Sequence, residues 1–190
     1  MKGPIDLVIE IAALLDSHSI PYALGGSVAM SFFGEPRSTN DVDIAVRASS
    51  VDGVAFLSDV PAEFYVPRKE AQRAWTTGGS FNLVDTLNAL KVDLFVVGDG
   101  LLDRRQIDRR QLMALPGAPA GIWVTSPEDQ ILRKLTWHRE GSSERQWRDV
   151  VGLVSATLRS IDLVDLSTAA EQLGVVDLLD AAIREAAEGG

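Results

Sequence analysis

The sequence predicts an α+β fold, in which helices flank a mixed β-sheet and a helical C-terminal part follows. Apolar residues recur at helical spacing near the N-terminus, and segments such as 41–46 and 91–97 alternate with period two. The period becomes helical again after about residue 125. We therefore expect an α/β core over residues 1–125 and a helical C-terminal subdomain over residues 126–190.

Local signals place the elements of the first part. The pair Ile20-Pro21 ends the first helix, and Gly25-Gly26 separates a short strand from the next helix. In chain order the predicted elements are a helix over 4–18, a strand over 22–24, a helix over 28–33, a strand over 41–46, helices over 52–60 and 68–75, an antiparallel hairpin of strands over 81–85 and 91–97, and edge strands over 112–115 and 122–125.

The second part begins with a strong helix-start signal. In the run Ser126-Pro127-Glu128-Asp129, the serine suits the N-cap, the proline the first helical position and the second acid the third position. This helix is expected to continue to about His138. Further helices are predicted over residues 144–160, 163–173 and 176–187.

The composition excludes several classes of protein. The 190 residues are 46% hydrophobic and 24% charged, and no apolar run approaches the length of about 20 residues that spans a bilayer. Acidic residues interrupt the apolar pattern at the N-terminus, so a signal peptide is not predicted. The absence of cysteine excludes disulfides and thiolate metal sites. We expect a cytoplasmic protein with no membrane partner.

The charge distribution argues against a general nucleic-acid coat. The net charge is −9, whereas nonspecific phosphate binding requires clustered lysine and arginine. Residues 101–115 and 133–148 are nevertheless locally basic. Solvated helix faces account for most of these residues, and a local site for a polyanion stays open.

Two aspartates interrupt the apolar strand predicted over residues 41–46. Alternation puts Asp41 and Asp43 on one face, about 6.5 to 7 Å apart along the backbone, so their carboxylates can converge on a metal ion. Asp93 belongs to the same alternation class of its own strand, and a neighbouring strand could bring it opposite the pair. Hard oxygen ligands of this kind suit Mg²⁺ or Mn²⁺ bound together with a nucleotide.

The double glycine suggests the phosphate side of the same site. A bare backbone at Gly25 and Gly26, directly before a helix, lets N–H groups approach a phosphate, and Ser27 adds a hydroxyl. Taken singly, the glycines are typical of a tight turn and the aspartates of a polar strand end. Their combination with a third strand aspartate favours a functional site.

Three other residues have competing interpretations. Arg37 and Thr39 precede the aspartate pair and could orient a phosphate or an acceptor, although Arg37 could equally pair with a loop carboxylate. Asp85 could replace Asp93 as the third carboxylate. Its position at a strand end before a turn favours a turn role instead.

These motifs resemble the nucleotidyltransferase superfamily related to DNA polymerase beta. Its signature is a glycine followed by glycine or serine, a spacer, and two aspartates separated by one hydrophobic residue. Here Gly26-Ser27 is followed by thirteen residues and then Asp41-Val42-Asp43-Ile44, and matching Gly25-Gly26 instead lengthens the spacer to fourteen. The segments PRSTNDVDIAV, FNLVD, KVDLFVV, PEDQILRKLTWHRE and RQWRDVVGLV resemble the bacterial AbiEii-like toxins over about residues 22–155.

The resemblance implies a function for each motif residue. It implies a nucleotidyltransferase that uses NTP and Mg²⁺ or Mn²⁺, with the glycines and Ser27 on the triphosphate. The pair Asp41 and Asp43 would bind the metals, and Asp93 would join them and help to activate the attacking hydroxyl. In this branch a lysine and a later aspartate of the helical part are also implicated, and they match Lys134 and Asp149. A lysine on a helix is more often solvated, however, and Asp149 could simply anchor Lys134 or Arg145.

The sequence leaves alternatives for the overall activity. The acceptor could be RNA, protein or a small molecule, and a cognate antitoxin could be a partner. A catalytically inactive nucleotide- or partner-binding protein of the same fold is one alternative. A glycosyltransferase is another, since such enzymes also use two aspartates to hold a metal-bound sugar nucleotide, although no preceding βαβ series for nucleotide binding is predicted.

Overall fold

A computed structural model describes residues 2–34 and 39–188. Within these residues the strands are β1 Tyr22–Gly25, β2 Asp41–Val46, β3 Phe64–Tyr65, β4 Gly79–Asp85, β5 Leu90–Val96, β6 Gln111–Leu115 and β7 Ala118–Val124. The helices are α1 Pro4–Ser17, α2 Gly26–Met30, α3 Ser50–Asp59, α4 Arg68–Thr77, α5 Leu101–Asp108, α6 Pro127–Gly141, α7 Glu144–Thr157, α8 Leu163–Leu173 and α9 Val176–Glu188, and a 3₁₀ turn follows α2 at Ser31–Phe33.

All of the strands join one mixed sheet. Its order is β3-β4-β5-β2-β1-β7-β6, with parallel pairing between β2 and β5 and between β1 and β7. The other neighbours are antiparallel, including the predicted β4–β5 hairpin. The predicted α+β class, with a mixed sheet and a helical C-terminal part, is confirmed.

The chain forms two compact units. The first consists of Met1–Ala29 and Arg37–Thr125 and contains the whole sheet, and the second consists of Met30–Pro36 and Ser126–Gly190 and contains α6 to α9.

One face of the sheet is the apolar core of the first unit. Val42, Ile44 and Val46 of β2 are fully buried on it, because period-two alternation turns all three the same way. Contacts between aromatic side chains pack α3 and α4 on this face. The ring centroids of Phe56 and Trp75 lie 6.1 Å apart, and those of Trp75 and Phe81 of β4 lie 5.6 Å apart. We call this the core face.

The opposite face is apolar at one end and polar at the other. Ala23 of β1 and Ala45 of β2 are buried against Ile107 of α5. Two residues before Ala45 on the same face lies Asp43, which is half-buried, and Asp41 at the start of the strand is exposed. The strand therefore carries its carboxylates at the end that α5 leaves uncovered. We call this the aspartate face.

The structure corrects one predicted strand and adds two elements. The segment predicted as an edge strand over 122–125 belongs to β7, which lies between β1 and β6 and is therefore not an edge. Two elements were not predicted from the sequence, namely β3, which has only two residues, and α5, which lies in the locally basic segment 101–115. Both are short, and short elements carry too little periodicity to be recognised.

The second unit begins at the predicted capping sequence. Ser126 is the N-cap of α6, and its hydroxyl accepts a hydrogen bond from the backbone N–H of Asp129 at 3.2 Å and donates one to the Asp129 carboxylate at 3.0 Å. Pro127 occupies the first helical position, where its missing N–H costs nothing. Among residues 2–34 and 39–188, no helix combines the length and apolar character that crossing a bilayer requires.

Asp85, the last residue of β4, is buried on the core face and holds the N-terminus against the β4–β5 turn. Its carboxylate accepts hydrogen bonds from Lys2 Nζ at 2.9 Å and from the backbone N–H groups of Leu87 and Asn88 at 3.0 Å. Burial alone would raise the pKa of Asp85, but these hydrogen bonds outweigh it and lower the pKa to about 2. Burial alone would lower the pKa of Lys2, but its bonds to the Glu10 and Asp85 carboxylates outweigh this effect and raise it.

Replacing Lys2 by methionine should destabilise the protein by about 2 kcal/mol, because it removes a charge-assisted hydrogen bond to the fully buried Asp85 carboxylate, together with the ion pair to Glu10. The carboxylate stabilises the fold above its unfolded pKa near 4, and that contribution is lost as the pH falls towards 2. Urea unfolding at pH 7 and pH 3 measures both effects. The change in stability between pH 7 and pH 3 should be smaller in Lys2→Met than in wild type. Lys69→Met, at an exposed position, serves as the control. Equal stability of the two variants would contradict the role that we assign to the Lys2–Asp85 pair.

Candidate active site

The parallel pairing of β2 and β5 brings three aspartates together on the aspartate face. Asp43 lies directly opposite Asp93, and Asp41 lies opposite Lys91. Because side chains at paired positions of neighbouring strands share a face, all three carboxylates lie on the same face of these two strands. The side chain of Asp41 is 59% exposed and that of Asp93 is 23% exposed, so the site is open at the Asp41 end.

The two glycines flank this row from β1. Gly25 is the register partner of Asp43, and Gly26 follows with a φ of 60°. A Cβ atom built on Gly26 would lie 1.9 Å from Asp43 Oδ2, whereas one on Gly25 would make only ordinary contacts, the nearest at 3.8 Å. Gly26 therefore leaves the space that the Asp43 carboxylate occupies. This steric dependence connects the glycine motif to the aspartate motif directly.

Lys91 is a residue of the candidate site that was not predicted from the sequence. Its Nζ lies 2.8 Å from Asp93 Oδ2 and 3.5 Å from Asp41 Oδ1. The hydrogen bond to Asp93 raises the pKa of Lys91, and the negative charges of both aspartates add to this against a smaller effect of burial. The signal was present in the sequence, because Lys91 stands two residues before Asp93 and shares its face.

Asn82 extends the polar row across the sheet. It lies opposite Asp93 on β4 and is half-buried, so Gly25, Asp43, Asp93 and Asn82 occupy one continuous row of four strands. Asn82 was not predicted as a site residue, because the β4–β5 register decides which residue of β4 faces Asp93.

The donor set of the row fits a hard divalent cation. Carboxylate oxygens are the ligands that Mg²⁺ and Mn²⁺ prefer. In the present arrangement, no three His, Cys, Asp or Glu side chains among residues 2–34 and 39–188 are grouped so as to hold a metal ion. A cation nonetheless lies against two of the aspartates, namely the Lys91 ammonium. The carboxylates thus attract positive charge at this position, and rotation of their side chains would be needed to enclose a metal.

The remaining candidates of the first unit have defined surroundings. Ser27 is buried as the second residue of α2. The Thr39 hydroxyl donates to the carbonyl of Asp41 and accepts from its N–H, each at 3.2 Å, and so shapes the start of β2. Arg37 lies outside the described residues. Asp85 lies on the core face, whereas Asp93 lies on the aspartate face, and we assign Asp85 the structural role described above.

Lys134 and Asp149 form a buried ion pair within the second unit. Lys134 Nζ of α6 lies 2.7 Å from Asp149 Oδ2 of α7 and donates a second hydrogen bond to Gln146 Oε1 at 3.2 Å. The side chains of the pair are 5% and 11% exposed. Removing two charges from water costs free energy, and the ion pair recovers it only when further hydrogen bonds satisfy both groups. The additional bond from Lys134 to Gln146 is of this kind.

Comparison with known proteins identifies the family. The family described as "Nucleotidyl transferase AbiEii toxin, Type IV TA system" matches residues 12–188. The chain belongs to this AbiEii family. It is therefore a nucleotidyltransferase, as the motifs indicated, and the glycosyltransferase alternative receives no support. No curated protein sequence matches the AbiEii-family chain significantly.

Solved structures share the fold of the AbiEii-family chain. An antigenic nucleotidyltransferase-like protein from Paracoccidioides brasiliensis is 21% identical with a TM-score of 0.56, over 94% of this chain and 91% of that chain. JHP933 from Helicobacter pylori is 15% identical with a TM-score of 0.54, over 97% and 86%. The antibiotic-resistance factor ANT(2'')-Ia is 15% identical with a TM-score of 0.51, over 97% and 95%. At these identities the likeness establishes the fold.

Proposed function

We propose that this AbiEii-family protein transfers an NMP from an NTP to a hydroxyl acceptor, releases pyrophosphate, and requires Mg²⁺ or Mn²⁺. The observation that carries the proposal is the register of β2 and β5, which sets Asp43 opposite Asp93 with Asp41 on the same face. Three neighbouring carboxylates repel one another unless positive charge joins them. A cation-dependent reaction on a polyanionic substrate uses such an arrangement directly.

The aspartates would hold the divalent cation. When bound there, it would neutralise charge on the triphosphate and lower the pKa of the acceptor hydroxyl. Asp93 is the member best placed for a second task, because its side chain is less exposed than that of Asp41 and faces Asn82 on one side and Asp43 on the other. We assign it the acceptance of the proton from the attacking hydroxyl.

The glycines would serve the nucleotide. Backbone N–H groups beside the row can approach phosphate oxygens because Gly25 and Gly26 present no side chain. The attacking oxygen would then displace pyrophosphate in line at the α-phosphorus, and most of the rate enhancement would come from positioning and charge stabilisation. Ser27, Thr39 and Arg37 stay proposed nucleotide contacts. We also retain Lys134 in that role and Asp149 as the residue that orients its ammonium.

The family supports a narrower proposal about biological role. Its description names a type IV toxin–antitoxin system, which favours a toxin that acts on an RNA or protein hydroxyl and a cognate antitoxin that counteracts it. A small-molecule acceptor is the alternative outcome of the same experiment. An NTP donor is supplied in the cytoplasm, where we expect the protein to act.

Labelled nucleotides test the proposed reaction. The protein is incubated with each NTP carrying ³²P at either the α or the γ position, with Mg²⁺ or Mn²⁺, and with total RNA, lysate protein or small hydroxyl compounds. We expect the α-label to enter one class of acceptor and the γ-label to leave in pyrophosphate. A chelator should abolish the transfer, because the aspartate row then has no divalent cation to bind.

Two results would contradict the proposal. Transfer of the γ-label would indicate phosphoryl transfer instead. Binding of an NTP with Mg²⁺ in calorimetry, without transfer to any acceptor, would indicate the alternative of an inactive nucleotide-binding protein of the same fold.

A further inference from the structure

The aspartate row already contains a cation that belongs to the chain. Lys91 Nζ donates to Asp93 Oδ2 at 2.8 Å and lies 3.5 Å from Asp41 Oδ1. The ammonium therefore joins two strands through the same carboxylates that the proposed function gives to a divalent cation. Register places it there, because Lys91 pairs with Asp41 and stands two residues before Asp93 on the same face.

An ammonium and a divalent cation cannot both occupy this position. Mg²⁺ binds carboxylate oxygens at about 2.0 to 2.1 Å, and it can bind Asp93 Oδ2, which holds the ammonium at 2.8 Å, only when the ammonium leaves that oxygen. Two positive charges held by one carboxylate also repel each other strongly where solvent is partly excluded. Lysine is suited to leave, because its charge sits on a flexible four-carbon stem, and the Lys91 side chain is 37% exposed and so has a path to solvent.

We propose that Lys91 is a built-in competitor of the divalent cation: it neutralises the aspartate row before the metal binds and withdraws when the metal arrives. The inference rests on the proposed metal-dependent function. Its consequence is that Lys91 lowers the affinity for the metal while it stabilises the metal-free protein. Lys91 is in this sense a positioning residue that acts through Asp41 and Asp93.

Removal of the positive charge of Lys91 should strengthen metal binding and should weaken the stability of the metal-free protein. Lys91→Gln should bind the metal about fivefold more tightly, since partly exposed ion pairs of this kind contribute on the order of 1 kcal/mol. The same variant should unfold at a temperature about 2 to 4 °C lower without metal, because the Asp41 and Asp93 carboxylates are left without the ammonium, and added metal should restore the loss. Lys91→Arg keeps the charge and should show neither effect.

Titration with MnCl₂ alone tests this competition, with calorimetry and the paramagnetic signal of free Mn²⁺ as two readouts. Wild type, Lys91→Gln, Lys91→Arg and the control Lys69→Gln are compared. Lys69→Gln removes the same charge from the exposed start of α4, a helix that packs on the core face, and should leave the affinity unchanged. Lys91→Met is a second neutral variant in case the glutamine variant does not fold.

Tighter Mn²⁺ binding by the neutral variants and not by Lys91→Arg supports the proposal. Unchanged or weaker binding by the neutral variants overturns it. Asp43→Asn in the same titration separates this failure from failure of the metal site itself. If Asp43→Asn abolishes binding while Lys91→Gln leaves it unchanged, only the competition is wrong. If wild type and Lys91→Gln both fail to bind Mn²⁺, the competition and the metal-dependent function are overturned together.

Discussion

Asp43→Asn is expected to lower the rate of nucleotidyl transfer by about a hundred- to a thousandfold, because the divalent cation that Asp43 would hold no longer stabilises the transition-state charge fully. Asp43 is the central carboxylate of the row, with Asp93 opposite on β5 and Gly25 opposite on β1. The asparagine has nearly the same shape but no charge, so the fold should persist. The initial rate of α-label transfer and the thermal unfolding midpoint measure the two properties.

The matched control for this substitution is Asp52→Asn. Asp52 is exposed in the first turn of α3, a helix that packs on the core face, so the same change of charge occurs away from the aspartate row. We expect its transfer rate to remain within about twofold of wild type. Equal rates for Asp43→Asn and Asp52→Asn would show that the aspartate row does not perform the chemistry.

Gly26→Ala is expected to reduce the rate of nucleotidyl transfer by about a hundredfold. The loss in the free energy of unfolding should be smaller than the corresponding increase in the activation free energy. The new methyl group would lie 1.9 Å from Asp43 Oδ2 and 2.8 Å from Asp43 Cγ, so the carboxylate must move. Displacement of a reacting group by about 1 Å can cost a factor on the order of a hundred. The φ of 60° adds about 1 kcal/mol of backbone strain for alanine. Steady-state transfer rates and Mn²⁺ affinity report the displacement.

Gly98→Ala is the control for the added methyl group. Its nearest neighbour would be Asp103 Oδ2 at 3.7 Å, an ordinary contact, so neither transfer nor metal affinity should change. If Gly26→Ala lost stability but kept the wild-type rate per folded molecule, the glycine would be required only for the turn. The proposed link between the glycine and aspartate motifs would then be wrong.

Local sequence signals predicted some elements of the fold and not others. The start of α6 was predictable because a serine N-cap, a proline and an acid at the third position act within one turn of helix. The elements α5 and β3 were not predicted because each is too short to show a period. The position of β7 inside the sheet was also mispredicted, since strand order depends on contacts with β1, which lies about a hundred residues earlier in the sequence.

Alternation along one strand is a local property, and it was sufficient to put Asp41 and Asp43 on one face and to predict a carboxylate site there. Only the tertiary structure decided which residues of distant strands meet them. The β2–β5 register places Asp93 opposite Asp43 and brings the Lys91 ammonium between two carboxylates, and a shift of one residue would have turned both side chains to the core face. The contact of Gly26 with Asp43 likewise requires the β1–β2 pairing, because the two residues are far apart in the sequence and adjacent only in the sheet.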